Sequence, residues 1–268
     1  MDKISKSMYG IRYMDEAAQN DTVIHRLNPL VKLLVSFIYI LTAVSFNKYE
    51  IVSMIPMVIY PSIVFNLGDI KFMPILKRSM VVLPLILFVG ISNPILDRET
   101  VIIFENVIVS RGILSYISLI IKSTLSVICG MLLIATTSID DIAKALGSIH
   151  VPKIFIMIFL LTYRYIYVLI DEFSNISTSY FLRAPGQKGI HHNLWGPLLG
   201  QLLMRTYERA QSIYNAMCLR GYSGEYYTSK NILHLNDYVY LILWIIFLFL
   251  VRFYNVPVMI GNIMTGAF

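Results

Sequence analysis

Five runs of at least seventeen mostly apolar residues constrain this chain more than anything else in it: 30–46, 51–67, 80–96, 112–136 and 238–254. A helix needs about 20 apolar residues to cross a bilayer, and hydrocarbon offers backbone N–H and C=O groups no partner outside a helix or a closed barrel. Hydrophobic residues make up 57% of the chain and charged ones only 14%, against about 25% charged in soluble domains. The expected fold is all-α: a polytopic membrane protein with about five transmembrane helices and a cytoplasmic helical region. The last run carries Trp244 and several tyrosines, as helices anchored at the interface do.

A sixth apolar segment, 151–170, is decided by charge. Basic residues favour the cytoplasmic side. Five precede residue 33, three (Lys71, Lys77, Arg78) lie in the 68–79 loop, and nine lie in 137–235. With the N-terminus inside and 151–170 kept out of the bilayer core, seventeen of the 22 basic residues are cytoplasmic. A crossing at 151–170 would export six of them, and Arg164 in its middle disfavours exposure to lipid. The chain therefore divides into 1–136, an N-terminal cytoplasmic segment and helices one to four; 137–235, cytoplasmic helices; and 236–268, a C-terminal transmembrane helix. The first 28 residues are polar, without a short apolar core and small-residue cleavage site, so no removable signal peptide is expected. Cys129 and Cys218 sit in unlike surroundings and suggest no disulfide framework.

Within the cytoplasmic block, Thr137-Ser138 followed by Asp140 and Asp141 suits a helix start. A long helix is expected over 153–182, ended by Pro185-Gly186, with an apolar stripe at Ile166, Leu169, Ile170, Phe173, Ile176 and Tyr180. A second is expected over 198–219, with apolar Leu199, Leu202, Leu203, Thr206, Ala210, Ile213, Tyr214 and Met217. Both close on the same kind of triplet: Leu182-Arg183-Ala184 and Leu219-Arg220-Gly221. One reading is plain capping, since a cation complements the dipole and glycine is the usual C-cap. The other is docking, since an arginine at a helix tip can make bidentate bonds in a partner's groove.

The sequence has no G-x-x-x-x-G-K-[ST] phosphate loop, no H-E-x-x-H, no C-x-x-C and no G-x-S-x-G. His191-His192 lacks accompanying ligands and reads as a solvated linker. Lys122, inside the fourth span, is expected to face the bundle or a polar cavity. The basic residues follow topology and form no aromatic-interleaved patch, so nucleic acid is not an expected partner.

Three stretches carry a family resemblance: "IHRLNPLVKLL" (24–34), "TTSIDDIAKALGSIHVPKIFIMIFLLTYRYIYVLIDE" (136–172) and "WGPLLGQLLMRTYERAQSIYNAMCLRGYSGE" (195–225). With them the chain resembles the transmembrane T component of energy-coupling factor transporters, in particular the CbiQ type of cobalt transport systems. Leu219-Arg220-Gly221 is similar to that family's Ala-Arg-Gly-like signature, and Leu182-Arg183-Ala184 stands where the partner signature is expected. Leucine replaces the first alanine in both triplets, and alanine the last small residue in the first.

The resemblance implies a non-catalytic coupling subunit of an importer in a bacterial or archaeal cell membrane. Its arginine-bearing tips would dock on two ABC-type ATPase subunits, and a separate membrane subunit would capture the substrate. ATP would then be bound by the partners, with no cofactor or metal held by this chain. Cobalt is the implied substrate, and nickel-type systems look alike. Outside that class, a self-sufficient secondary transporter or channel would need polar groups converging at mid-membrane, where the spans offer only Lys122 and scattered Ser and Thr.

Overall fold

The computed structural model describes residues 20–96, 100–104, 107–187, 189–224 and 233–254. They are overwhelmingly helical: α1 Pro29–Ser45, α2 Ile59–Gly68, α3 Phe72–Ser79, α4 Leu83–Gly90, α5 Ser92–Leu96, α6 Arg111–Thr136, α7 Ile139–Ser148, α8 Lys153–Arg183, α9 Trp195–Leu219 and α10 Leu235–Phe253. A 3-10 helix, Val52–Val58, leads into α2, and Pro56 lies inside it; proline cannot donate to an α-helical ladder. A two-stranded antiparallel hairpin, β1 Thr100–Phe104 with β2 Val107–Ser110, occupies part of the loop expected between the third and fourth spans, pairing Thr100 with Ser110 and Ile102 with Ile108.

Four helical stretches are long and apolar enough to cross a membrane: Phe72–Pro94, Arg111–Thr136, Lys153–Arg183 and Leu235–Phe253. Pro29–Ser45 and Val52–Gly68 are apolar but shorter. The third span thus begins earlier than the apolar run at 80–96, and Lys77 and Arg78 lie in the last turn of α3. The stretch is broken at residues 80–82. Pro84, near the start of α4, has no N–H and its ring opposes the carbonyl four residues back, at Met80.

The chain forms two compact units, 1–145 with 230–268, and 146–229. In the first, α1 presents Val31, Val35, Tyr39 and Ala43, spaced by four, to Leu125, Cys129 and Leu132 of α6 and to Trp244, Leu248 and Val251 of α10. Tyr60 packs its ring 4.8 Å from Tyr39 and 4.7 Å, edge to face, from Trp244. The Tyr39 hydroxyl donates to the Met57 carbonyl at 3.0 Å, so the buried phenol is satisfied. Asn28 caps α1, accepting from the Leu30 N–H at 3.0 Å, and Pro29 occupies the first helical position.

At 17 residues, α1 is about 25 Å long, against a hydrocarbon core of about 30 Å. Two cations from other helices meet its C-terminal end. Arg252 of α10 donates to the Ser45 carbonyl at 3.1 Å and stacks over the Phe46 ring, and Lys122 of α6 donates to the Phe46 carbonyl. Lys122 therefore faces the bundle.

At the start of α7, Ser138 Oγ accepts from the Asp141 N–H at 3.2 Å and donates to the Asp141 carboxylate at 2.8 Å, and Lys144 bonds the same carboxylate at 2.7 Å. Burial would raise the Asp141 pKa; the bonds from Lys144 and Ser138 outweigh it and hold the carboxyl below its usual range.

Candidate docking tips on a helix pair

The second unit is built from α8 and α9. Tyr222, just past α9, reaches Met157 near the start of α8, its hydroxyl 2.7 Å from the sulfur. Arg205 of α9 pairs with Glu172 further along α8. Rising numbers on one helix meet falling numbers on the other, so the pair is antiparallel. The ends bearing Arg183 and Arg220 therefore stand at opposite ends of the pair, about 40 Å apart measured along α8 from Met157.

Between the helices lies a cleft of about 770 Å³, lined by Met157, Leu161, Tyr165 and Leu169 of α8 and by Leu203, Ala210, Ile213 and Met217 of α9, with the Glu172–Arg205 pair at its polar edge. Six of the eight apolar positions expected on α9 line it. Of the stripe expected on α8, Leu169 does, and Ile176 is buried. The Glu172–Arg205 pair had no sequence signal, its partners being 33 positions apart on different helices. No residue of α9 is buried, and Leu199, Leu203, Met204, Tyr207 and Tyr214 stay exposed.

The two tips are closed differently. At α9, Arg220 is the C-cap and Gly221 follows with φ +84°. The Gly221 N–H bonds the Cys218 carbonyl at 3.0 Å and the Tyr222 N–H the Met217 carbonyl at 3.0 Å. This pair of bonds is a Schellman motif, which needs a left-handed residue at Gly221. At α8, Arg183 is the last helical residue and Ala184 the C-cap, its N–H bonding the Tyr180 carbonyl at 3.0 Å. Pro185 and Gly186 (φ +86°) then turn the chain, and Gln187 bonds back to Ala184. An added Cβ at Gly221 meets nothing within 4 Å. Gly221→Ala should thus cost only the left-handed backbone penalty, about 1–2 kcal/mol, seen as faster amide exchange at 217–222 with the rest of α9 unchanged.

Both tips expose what a helix end normally hides. Leu182 is 78% exposed and Leu219 90%. Arg183, Arg220 and Gly221 are exposed and Ala184 half-buried. Neither arginine has an ion-pair or hydrogen-bond partner among the described residues. Each tip therefore offers an apolar contact and a planar five-donor group side by side.

The family model described as "Cobalt transport protein", CbiQ, matches residues 20–232 and so includes both tips and the helix pair. The chain belongs to the CbiQ cobalt transport protein family. Among its relatives, an uncharacterised protein of Methanocaldococcus jannaschii is 27% identical over 218 residues, 75% of this chain and 74% of its own. The nickel permease LarQ of Lactiplantibacillus plantarum is 30% identical over 119 residues, 42% of this chain and 44% of its own. The energy-coupling factor transporter transmembrane protein EcfT of Clostridium kluyveri is 24% identical over 221 residues, 76% of this chain and 81% of its own. This CbiQ-family chain is accordingly a membrane component of a transporter of the CbiQ and EcfT type.

Proposed function

We propose that this CbiQ-family chain is the coupling subunit of an energy-coupling factor importer. One observation carries the reading: two exposed Leu-Arg tips at opposite ends of one antiparallel helix pair, on a unit inserted into the sequence of a membrane bundle. Each tip docks on one of two ABC-type ATPase subunits, which hold the ATP. The apolar face left open on α9 packs against a separate substrate-binding membrane subunit, in helix-in-groove fashion. The N-terminus and the helix pair are cytoplasmic, with α8 lying against the inner face of a bacterial or archaeal cell membrane. The chain itself is not an enzyme.

Cobalt(II) is the favoured cargo through the family, and the nickel permease among the relatives makes nickel(II) the second. Cargo capture falls to the other membrane subunit.

The test is uptake of cobalt(II) or nickel(II) by proteoliposomes holding this chain alone, or with the ATPase and substrate-binding subunits. The expected result is ATP-dependent uptake by the full set only. ATP-independent uptake by the chain alone would overturn the reading in favour of a secondary transporter or channel.

A further inference from the structure

The stretch 24–32 has a physical role set by where its polar groups go. Asn28, Lys32 and Asp237 are 7%, 4% and 2% exposed. Charges this deep require bonded partners. Asp237 sits in the first turn of α10. One carboxylate oxygen accepts the His234 N–H at 2.8 Å, closing a capping box, and the other accepts the Asn28 N–H at 2.8 Å. That second bond spans 209 positions of sequence to the residue capping α1. Lys32, one turn into α1, donates to the carbonyl of Thr136, the last residue of α6, at 2.7 Å, and to the His25 carbonyl at 3.4 Å. The His25 ring adds a contact of 3.3 Å to the Ala135 carbonyl.

The start of α1 is thus bonded both to the end of α6 and to the start of α10. Helix ends leave N–H and C=O groups unpaired, and here three of them are satisfied by one another's elements. The position in the chain gives this a consequence. The helix-pair unit is an insertion: the chain leaves the bundle after Ala145 and returns at Lys230. Thr136 ends the last helix before α7, on which the departure falls, and His234 and Asp237 open the first helix after the return.

We infer that the Asn28–Lys32–Asp237 clasp fixes both attachment points of the inserted unit to α1, so that displacement of the helix pair is passed to the bundle and not absorbed by separation of α6 from α10. Lys32 and Asp237 are then positioning residues for coupling, and touch neither nucleotide nor cargo. The inference rests on the coupling-subunit reading.

The test uses the purified complex with its ATPase subunits, and compares amide exchange in the nucleotide-free state with that after trapping by ATP and vanadate. The variants are Asp237→Asn, which keeps the size and removes the charge, and Lys32→Met, which keeps the length and removes the donors. Expected for both is wild-type ATPase binding and hydrolysis, and an undiminished trapping response in 153–219. The response in 29–45 and 235–253 should fall about tenfold, the scale on which coupled elements bias each other. A merely structural residue would not split the response in this way.

A bundle response equal to wild type in both variants overturns the clasp. So does failure of both variants to fold, which would make these residues a folding requirement. If wild-type chain does not bind ATPases at all, the coupling reading fails, and the inference with it, before any variant is made.

Discussion

Replacing Arg183 and Arg220 together by alanine is expected to abolish recovery of the ATPase subunits with the chain. Free, each guanidinium is solvated and has no partner among the described residues, so truncation should leave the folding of the chain unaltered. In a groove the same group is desolvated and held bidentately, and losing one such charge at an interface costs about 2–5 kcal/mol. Taking the lower figure twice gives about 4 kcal/mol, or about a thousandfold in affinity. Because the tips stand at opposite ends of the pair, their contributions should be additive.

Arg220→Lys keeps the charge but loses the planar fork, and should fall between wild type and Arg220→Ala. Arg209→Ala is the control: Arg209 is exposed on α9, away from either tip, and its loss should leave recovery unchanged. Pull-down of tagged chain with quantified ATPase decides between outcomes. Full recovery with the double variant would return both triplets to the status of ordinary capped helix ends.

The two readings of those triplets could not be separated by sequence, because capping and docking both favour arginine followed by a small residue. Leu219 is 90% exposed, which leaves it available to a partner, and the pull-down decides between the two readings. The helix ends themselves were legible. Pro185-Gly186 and Gly221 stop α8 and α9 where turn chemistry requires. The start of α9 came three residues earlier than expected, at Trp195, because Pro197 falls in the first turn, where an N–H has no helical partner anyway. The family likeness was legible in the same motifs. What sequence could not supply were partners across the bundle. Nothing near Asp237 announces Asn28, and nothing near Lys122 announces the Phe46 carbonyl. Periodicity reports which face of a helix is apolar, and is silent on which polar atom of another helix lies opposite. The break at 80–82 was missed for a related reason: Pro84 lies inside an apolar run, and its effect falls four residues upstream.

Lys122 gives the second large effect. At about 25 Å, α1 is shorter than a hydrocarbon core of about 30 Å, so in an upright crossing its last carbonyls would need partners from other helices. Lys122 and Arg252 reach them from α6 and α10. Lys122→Met keeps most of the side-chain volume and removes the donor, leaving the Phe46 carbonyl short of a partner. An orphaned buried acceptor costs about 1–3 kcal/mol, with polar bonds between membrane helices tending to the lower end. The expected result is a lower melting temperature in lipid nanodiscs, with ATPase binding retained, since the tips are untouched. Arg252→Met should do the same through Ser45. The double variant should lose more or less than the sum, because two cations serving adjacent carbonyls share one local geometry. The same substitution bears on mechanism. If Lys122 served an ion pathway, Lys122→Met would abolish uptake while the protein melted normally. If it caps α1, stability falls first, and uptake falls only as far as the folded fraction does.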